Sequence, residues 1–153
     1  MQLVPTPPLV PDDFAVPAGL RTEVFTLEPL GVRHSELDFA AWTSSIEHIR
    51  QTPGFAGRSW PKLMSPEENE ADLARHARDF DDRVGFTYTV LDPVTADVIG
   101  CVYLYPPKRD GYDVDVRSWV RADRAEFDKP LYDLVSGWLA ETWPFASPDY
   151  APR

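Results

Sequence analysis

Cysteine is almost missing from this chain. Cys101 is the only one among 153 residues, so no disulfide can form within the chain, and a reducing, cytoplasmic setting is expected. Because Cys101 lies in an apolar run, an inert buried thiol is expected there rather than a nucleophile. Histidine is scarce too. His34, His48 and His76 are scattered, and no His/Cys/Asp group has metal-ligand spacing, so no metal site is predicted. Basic charge is in deficit: 15 Lys and Arg stand against 25 Asp and Glu, a formal net charge of −10 that disfavours nucleic acid and anionic membranes as partners. No apolar run approaches membrane-spanning length. The N-terminus lacks a basic segment followed by an apolar one, so no signal peptide is expected. There is no phosphate-binding Gly-rich loop and no nucleophile elbow, and glycine is missing altogether between Gly111 and Gly137.

What is present suits one soluble globular domain. Hydrophobic residues make up 43% of the chain and charged ones 26%, which is ordinary for a protein with a real core. Residues 1–19 hold Pro5, Pro7, Pro8, Pro11 and Pro17 and read as an extended or disordered arm. Leu9, Val10 and Phe14 are its means of draping over the domain, which spans 20–153. The charge is uneven. Residues 98–131 carry six basic and six acidic side chains, so the whole net charge lies elsewhere. A neutral island fits an anionic cofactor beside a cationic amine; acidic surface also simply keeps a protein soluble.

The organising stretch runs from Asp97 to Trp143. Val98 to Tyr105 is apolar, β-branched and aromatic, which predicts a strand buried on both faces. Pro106 to Gly111 is turn chemistry. Tyr112 to Val120 then alternates, with Val114, Val116, Ser118 and Val120 on one face and Asp113, Asp115, Arg117 and Trp119 on the other. The polar face reads either as a solvated surface with cross-strand ion pairs or as part of a site. A short turn makes the two strands antiparallel. Leu131, Leu134, Val135, Trp138 and Leu139 recur at helical spacing, with Asp128 as the expected N-cap and Pro144 as the stop. A strand feeding directly into a helix presents free amides and the positive end of the helix dipole, which suits a diphosphate.

Upstream, Arg21 to Leu30 predicts a first strand, and His34 to Arg50 a helix interrupted near Thr43 to Ser45. Ser35 and Asp38 have capping-box spacing. Gln51 to Met64 is a loop, either a substrate lid or a surface loop anchored by Phe55 and Trp60. Ser65-Pro66-Glu67-Glu68 is a strong helix start, followed by the stripe Leu73, Ala77, Phe80 and Val84, with His76 structural beside it. Gly85 to Leu91 predicts the strand before the organising stretch. Phe145 to Arg153 can supply at most one edge strand.

The run Asp97 to Pro106, followed by Asp113-Val-Asp-Val-Arg-Ser-Trp-Val-Arg-Ala, resembles the third and fourth strands of the GNAT (GCN5-related N-acetyltransferase) family. The resemblance covers Thr22 to Trp143 and lacks the end of that fold. It implies an α+β fold, a mostly antiparallel sheet flanked by helices, and transfer of an acetyl group from acetyl-CoA to an amine of a small molecule. It implies cofactor contacts at Trp119, Val120, Arg121, Arg124 and Lys129, with pantetheine amides on the strand backbone near Trp119 and Val120 and a bulge there that parts two strands. Asp115 aligns with the family's fourth-strand base. Tyr132 is among the tyrosines placed to act as the acid, though it matches no family motif. The departure lies in the loop Arg124-Ala-Glu-Phe-Asp-Lys129, where Phe127 and Lys129 stand in place of small residues that let the backbone close on the diphosphate. The alternative is therefore a non-catalytic GNAT-like binding module that has lost the acetyl-CoA loop. An uncovered last sheet edge favours a homodimer.

Overall fold

The computed structural model describes residues 7–153. Six strands form one sheet in the order β1(Leu20–Arg21), β2(Thr26–Pro29), β3(Phe86–Leu91), β4(Val98–Tyr105), β5(Val114–Val120) and β6(Pro148–Tyr150). The first five are antiparallel neighbours, and only β5 and β6 run parallel. Helices α1(Ser35–Thr43), α2(Ile46–Gln51) and α3(Pro66–Asp81) come between β2 and β3, and α4(Asp128–Thr142) crosses over from β5 to β6. That crossover is what lets β6 lie parallel, because a tight turn cannot join parallel strands. Among the described residues no helix is long and apolar enough to cross a membrane.

The alternation of the strands divides the interior in two. Phe86, Tyr88, Val102, Leu104, Val116 and Val120 pack under Leu131, Val135, Trp138 and Leu139 of α4. Leu91, Cys101, Tyr103 and Trp119 pack on the other face, under Trp42, Ile49, Phe55 and Leu73. Each such buried side chain contributes roughly 1.5–3 kcal/mol over leaving it in water. The β4 strand has its predicted bounds, and seven of its eight residues are buried. The α3 start is also as read: the Ser65 hydroxyl accepts from the Glu68 amide at 3.1 Å, and Glu68 accepts from the Ser65 amide at 2.9 Å. Of the N-terminal arm, residues 1–6 lie outside the described residues. Val10 is 1% exposed in the α4-side core, with Leu9 and Phe14 against it.

Several local expectations change. The first strand is a hairpin, β1 and β2, turned where Thr22 Oγ1 accepts the Phe25 amide at 2.9 Å. The helix after it does break at Ser44 and Ser45, but Ser35 is not its N-cap; a 3-10 turn over Val32–His34 leads in, and Ser35 closes that turn. Asp128 is not an N-cap. A second 3-10 turn, Ala122–Phe127, runs straight into α4, and Asp128 lies inside the helix. Val84 falls beyond the end of α3 and is exposed. The register between β4 and β5 is unbroken from Gly100↔Val120 to Tyr105↔Asp115, so the bulge expected near Trp119 is not there; the one irregularity falls at Val90/Leu91. Finally, the polar face of β5 is not solvated. Asp115 is 4% exposed, because the loop between α2 and α3 folds over it.

Candidate functional site: one strand with a cleft on its edge and a cavity on its face

Strand β5 has two unusual surroundings. The first is its outer edge. Parallel pairing with β6 runs from Val114↔Pro148 to Val116↔Tyr150 and stops. The Arg121 amide bonds to Ile99 of β4, so by antiparallel alternation the backbone groups of Ser118 and Val120 point away from β4, into the gap beside α4. The Trp119 backbone points the other way.

That gap is occupied by the protein itself. The Arg153 side chain, 4% exposed, reaches back into it. Its Nε donates to Asp128 Oδ2 at 2.7 Å, one Nη to the Ser118 carbonyl at 2.8 Å, and the other to the Ala151 carbonyl at 2.8 Å. Tyr132 and Tyr150 close one side with ring centroids 4.6 Å apart, and the guanidinium carbon lies 5.8 Å from the Tyr132 ring. The Tyr150 hydroxyl pairs with Ser118 Oγ, and burial pushes its pKa up. Among the described residues the Tyr132 hydroxyl makes no hydrogen bond.

The residues predicted for a cofactor are spread around this gap. Val120 presents only its backbone, its side chain being in the α4-side core. The Trp119 indole is buried on the opposite face and donates to the Tyr103 hydroxyl at 2.9 Å. Arg121 pairs with Asp123 at 2.7 Å, Arg124 donates to the Asp123 carbonyl at 3.3 Å, and exposed Lys129 pairs with Asp133 at 2.9 Å. Among the described residues the bonds these three side chains make are to Asp123 and Asp133, Arg121 Nε being buried without a partner; the cation bonded to the β5 edge is Arg153. Phe127 turns inward, edge-on to Phe25 at 5.8 Å.

The second surrounding is on the face. A cavity of about 580 Å³ lies between β4, β5, α3 and the Ser59–Met64 segment, walled by Trp60, Tyr103, Arg117, Asp38, Asn69 and His76 among others. Asp115 flanks it but is committed: both carboxylate oxygens accept from Arg58, at 3.2 and 3.3 Å. Its lone pairs are aimed at a guanidinium, not at a substrate, so its expected part as base is not what the geometry offers. Asp38 differs. It is 4% exposed, accepts from Asn69 Nδ2 at 3.3 Å, and burial pushes its pKa up to about 7, with Asp72 adding to the rise. The Asn69 oxygen in turn accepts from the Trp42 indole at 3.0 Å, which fixes the amide's orientation. His76 has its Nδ1 within 3.0 Å of both Thr87 Oγ1 and the Tyr105 hydroxyl, and burial holds its pKa below the usual histidine value. Asp38 was legible only as a would-be cap partner, and Arg153 and Arg58 carried no pattern at all.

This architecture, a mixed sheet whose β5 and β6 part after Val116 beside the crossover helix α4, is the GNAT (acyl-CoA N-acyltransferase) fold. No family model matches the chain, and no curated protein matches it. Solved structures do. One is the ribosomal-protein-S5-alanine acetyltransferase from Vibrio fischeri, with 12% identity and a TM-score of 0.59 over 79% of this chain and 66% of that one. A second is the microcin C7 self-immunity acetyltransferase MccE in complex with acetyl-CoA and AMP, with 11% identity and a TM-score of 0.60 over 82% and 67%. A third is the Salmonella typhimurium acetyltransferase that modifies the N-terminal serine of ribosomal protein L7/L12, with 10% identity and a TM-score of 0.57 over 78% and 66%. The chain spans about two thirds of the length of each.

Acetyl-CoA fits this gap in part. The edge at Ser118 and Val120, which among the described residues no strand pairs and whose Ser118 carbonyl is held by Arg153, suits the amides of a pantetheine arm once Arg153 moves. Three amides of the loop before α4 are already taken: Ala122 by Ser45 Oγ at 2.8 Å, Arg124 by the Arg121 carbonyl and Asp128 by the Ala125 carbonyl. What remains for a diphosphate is the Arg153 guanidinium, whose nitrogens already donate to Asp128, Pro53, Ala151 and Ser118 and would have to exchange those partners.

Proposed function

We propose that the protein is an N-acetyltransferase that moves an acetyl group from acetyl-CoA to the amine of a small molecule held in the 580 Å³ cavity. The observation that carries this reading is that β5 stops pairing at Val116 while the cavity opens on the same strand's face at Arg117. A donor along the edge and an acceptor on the face are brought to one strand. When bound, acetyl-CoA supplies an activated thioester carbonyl.

The chain's residues have the following parts. Arg153 exchanges the Asp128 carboxylate for the diphosphate, and the Ser118 and Val120 backbone lines the arm. Asp38, poised near neutrality, takes the proton that an acceptor ammonium must lose before it can attack. Tyr132, with a free hydroxyl beside the gap, returns a proton to the departing thiolate. Asp115 orients Arg58 and Arg117 and does not touch the reacting atoms.

A thiol-release assay with acetyl-CoA and a panel of small amines tests this. The reading requires turnover that falls at least about tenfold in D38N while cofactor affinity is unchanged. One observation favours the second reading, a binding module without catalysis: the Arg153–Asp128 pair fills the gap, and the helix amides are already used. That reading requires no stabilisation by millimolar acetyl-CoA, whereas a saturating ligand at a hundredfold its Kd adds about 2.7 kcal/mol.

A further inference from the structure

We propose that the cavity binds its ligand through an oxyanion, a carboxylate or a phosphate, gripped by the Arg117 guanidinium. Arg117 leaves β5 toward the cavity and forms part of its wall. The guanidinium carbon lies 5.0 Å from the Tyr103 ring centre and 5.4 Å from that of Phe55, so two aromatic faces hold it. Its side chain is 17% exposed, yet among the described residues it makes no hydrogen bond, and its Nε is buried without a partner. The nearest carboxylate oxygen belongs to Asp115, 3.7 Å from Nε, but Asp115 already accepts twice from Arg58. Arg58 itself keeps a buried Nη1 without a partner.

Two guanidiniums thus share one carboxylate. Lys108 is a third cation of the cluster: burial, then Arg58 and Arg117, push its pKa down. An arginine cannot shed its charge to relieve this, as a lysine or histidine can. Burying an unpaired ion is costly, and an oxyanion with two acceptor atoms matches the fork that is free. This excess of positive charge sits inside a protein of net charge −10, so it is local to the site. The cavity lining also carries Asp38, Glu68 and Asp72, of which Asp72 is already paired with Arg75 at 2.6 Å. A ligand with both an acid and an amine, as in an amino acid, can set its acid on Arg117 and offer its amine to Asp38 or Glu68. The volume lies within the range of small-molecule sites. The binding is a property of the cavity alone; if the transfer proposed above takes place, the oxyanion belongs to the acceptor amine.

The test is binding without acetyl-CoA, so its failure is separable from failure of the transferase reading. The full chain is titrated at low ionic strength with inorganic phosphate and with glutamate, followed by thermal unfolding, against sodium chloride of equal ionic strength. A saturable rise in Tm with either probe supports the site; phosphate alone assigns a phosphorylated ligand, glutamate alone a carboxylate. Arg117→Gln weakens that binding by about tenfold to a hundredfold, and Arg117→Lys by less. If Arg117→Gln does not fold, phenylglyoxal modification of the unaltered protein, mapped by mass spectrometry, replaces it: the bound anion protects Arg117. No saturable shift from either probe, unchanged binding in Arg117→Gln, or no protection of Arg117 overturns the proposal.

Discussion

Arg153 Nε stands 2.7 Å from Asp128 Oδ2, inside the gap between β5 and α4 where the GNAT fold brings a strand edge to a helix start. The pair is the protein's own filling of that gap. Asp128 keeps its other oxygen buried and without a partner, so only half of the carboxylate is satisfied. In the proposed transferase a diphosphate competes with Asp128 for Arg153.

The Arg58–Asp115 pair anchors the α2–α3 loop to β5 with side chains 21% and 5% exposed. Removing Asp115 strands two guanidiniums, whereas removing Arg58 leaves Asp115 to Arg117, 3.7 Å away. Asp115→Asn is expected to cost about 3–5 kcal/mol, Arg58→Met less, and the two together less than the sum of the singles. Urea unfolding of the four proteins in a double-mutant cycle measures the coupling.

Phe55 holds the same loop by packing. It is 2% exposed and lies 6.1 Å from Trp60 and 6.5 Å from Tyr103, ring to ring. Phe55→Ala is expected to cost about 3–5 kcal/mol and to free the loop over the β5 polar face. Limited proteolysis should then cut between residues 56 and 64 faster than in the unaltered chain.

Asp38 makes stability depend on pH. Its folded pKa of about 7 lies above the unfolded value, so between about pH 4 and pH 7 the folded state binds the extra proton and stability falls as pH rises. His76 is shifted downward and titrates in the opposite sense over part of this range, so the comparison that isolates Asp38 is with D38N. The stability difference between the two proteins should change with pH at up to about 1.4 kcal/mol per unit across that window and level off above it. A difference that is flat with pH means Asp38 is ionised throughout.

Much of the fold was readable before any coordinates. Val98 to Tyr105 is apolar enough to admit only a doubly buried strand, and Ser65-Pro66-Glu67-Glu68 contains every atom its capping box uses. The site was less readable, for a physical reason. Alternation along β5 assigns Asp115 and Arg117 to one face but cannot say what covers that face, and the cover is Phe55 and Trp60 from a loop some sixty residues earlier. Asp38 has the spacing of a cap partner; its burial against Asn69 of α3 is a tertiary contact with no local signature. Arg153 follows a proline-broken stretch without period, and only the parallel seating of β6 aims it at Ser118. The bulky residues Phe127 and Lys129 at the start of α4 were plain in the sequence; that the stretch before them winds into a 3-10 turn over Ala122–Phe127 was not.

The exchange at Arg153 is tested most directly by calorimetric titration of acetyl-CoA into the unaltered chain, Arg153→Ala and Asp128→Asn. The account predicts saturable binding to the unaltered chain, weaker by about tenfold or more in Arg153→Ala and tighter in Asp128→Asn, since that change removes the competing carboxylate. Tighter binding in Arg153→Ala would make Arg153 a plug rather than a ligand, and no binding to any of the three at millimolar cofactor would contradict the acetyltransferase reading itself.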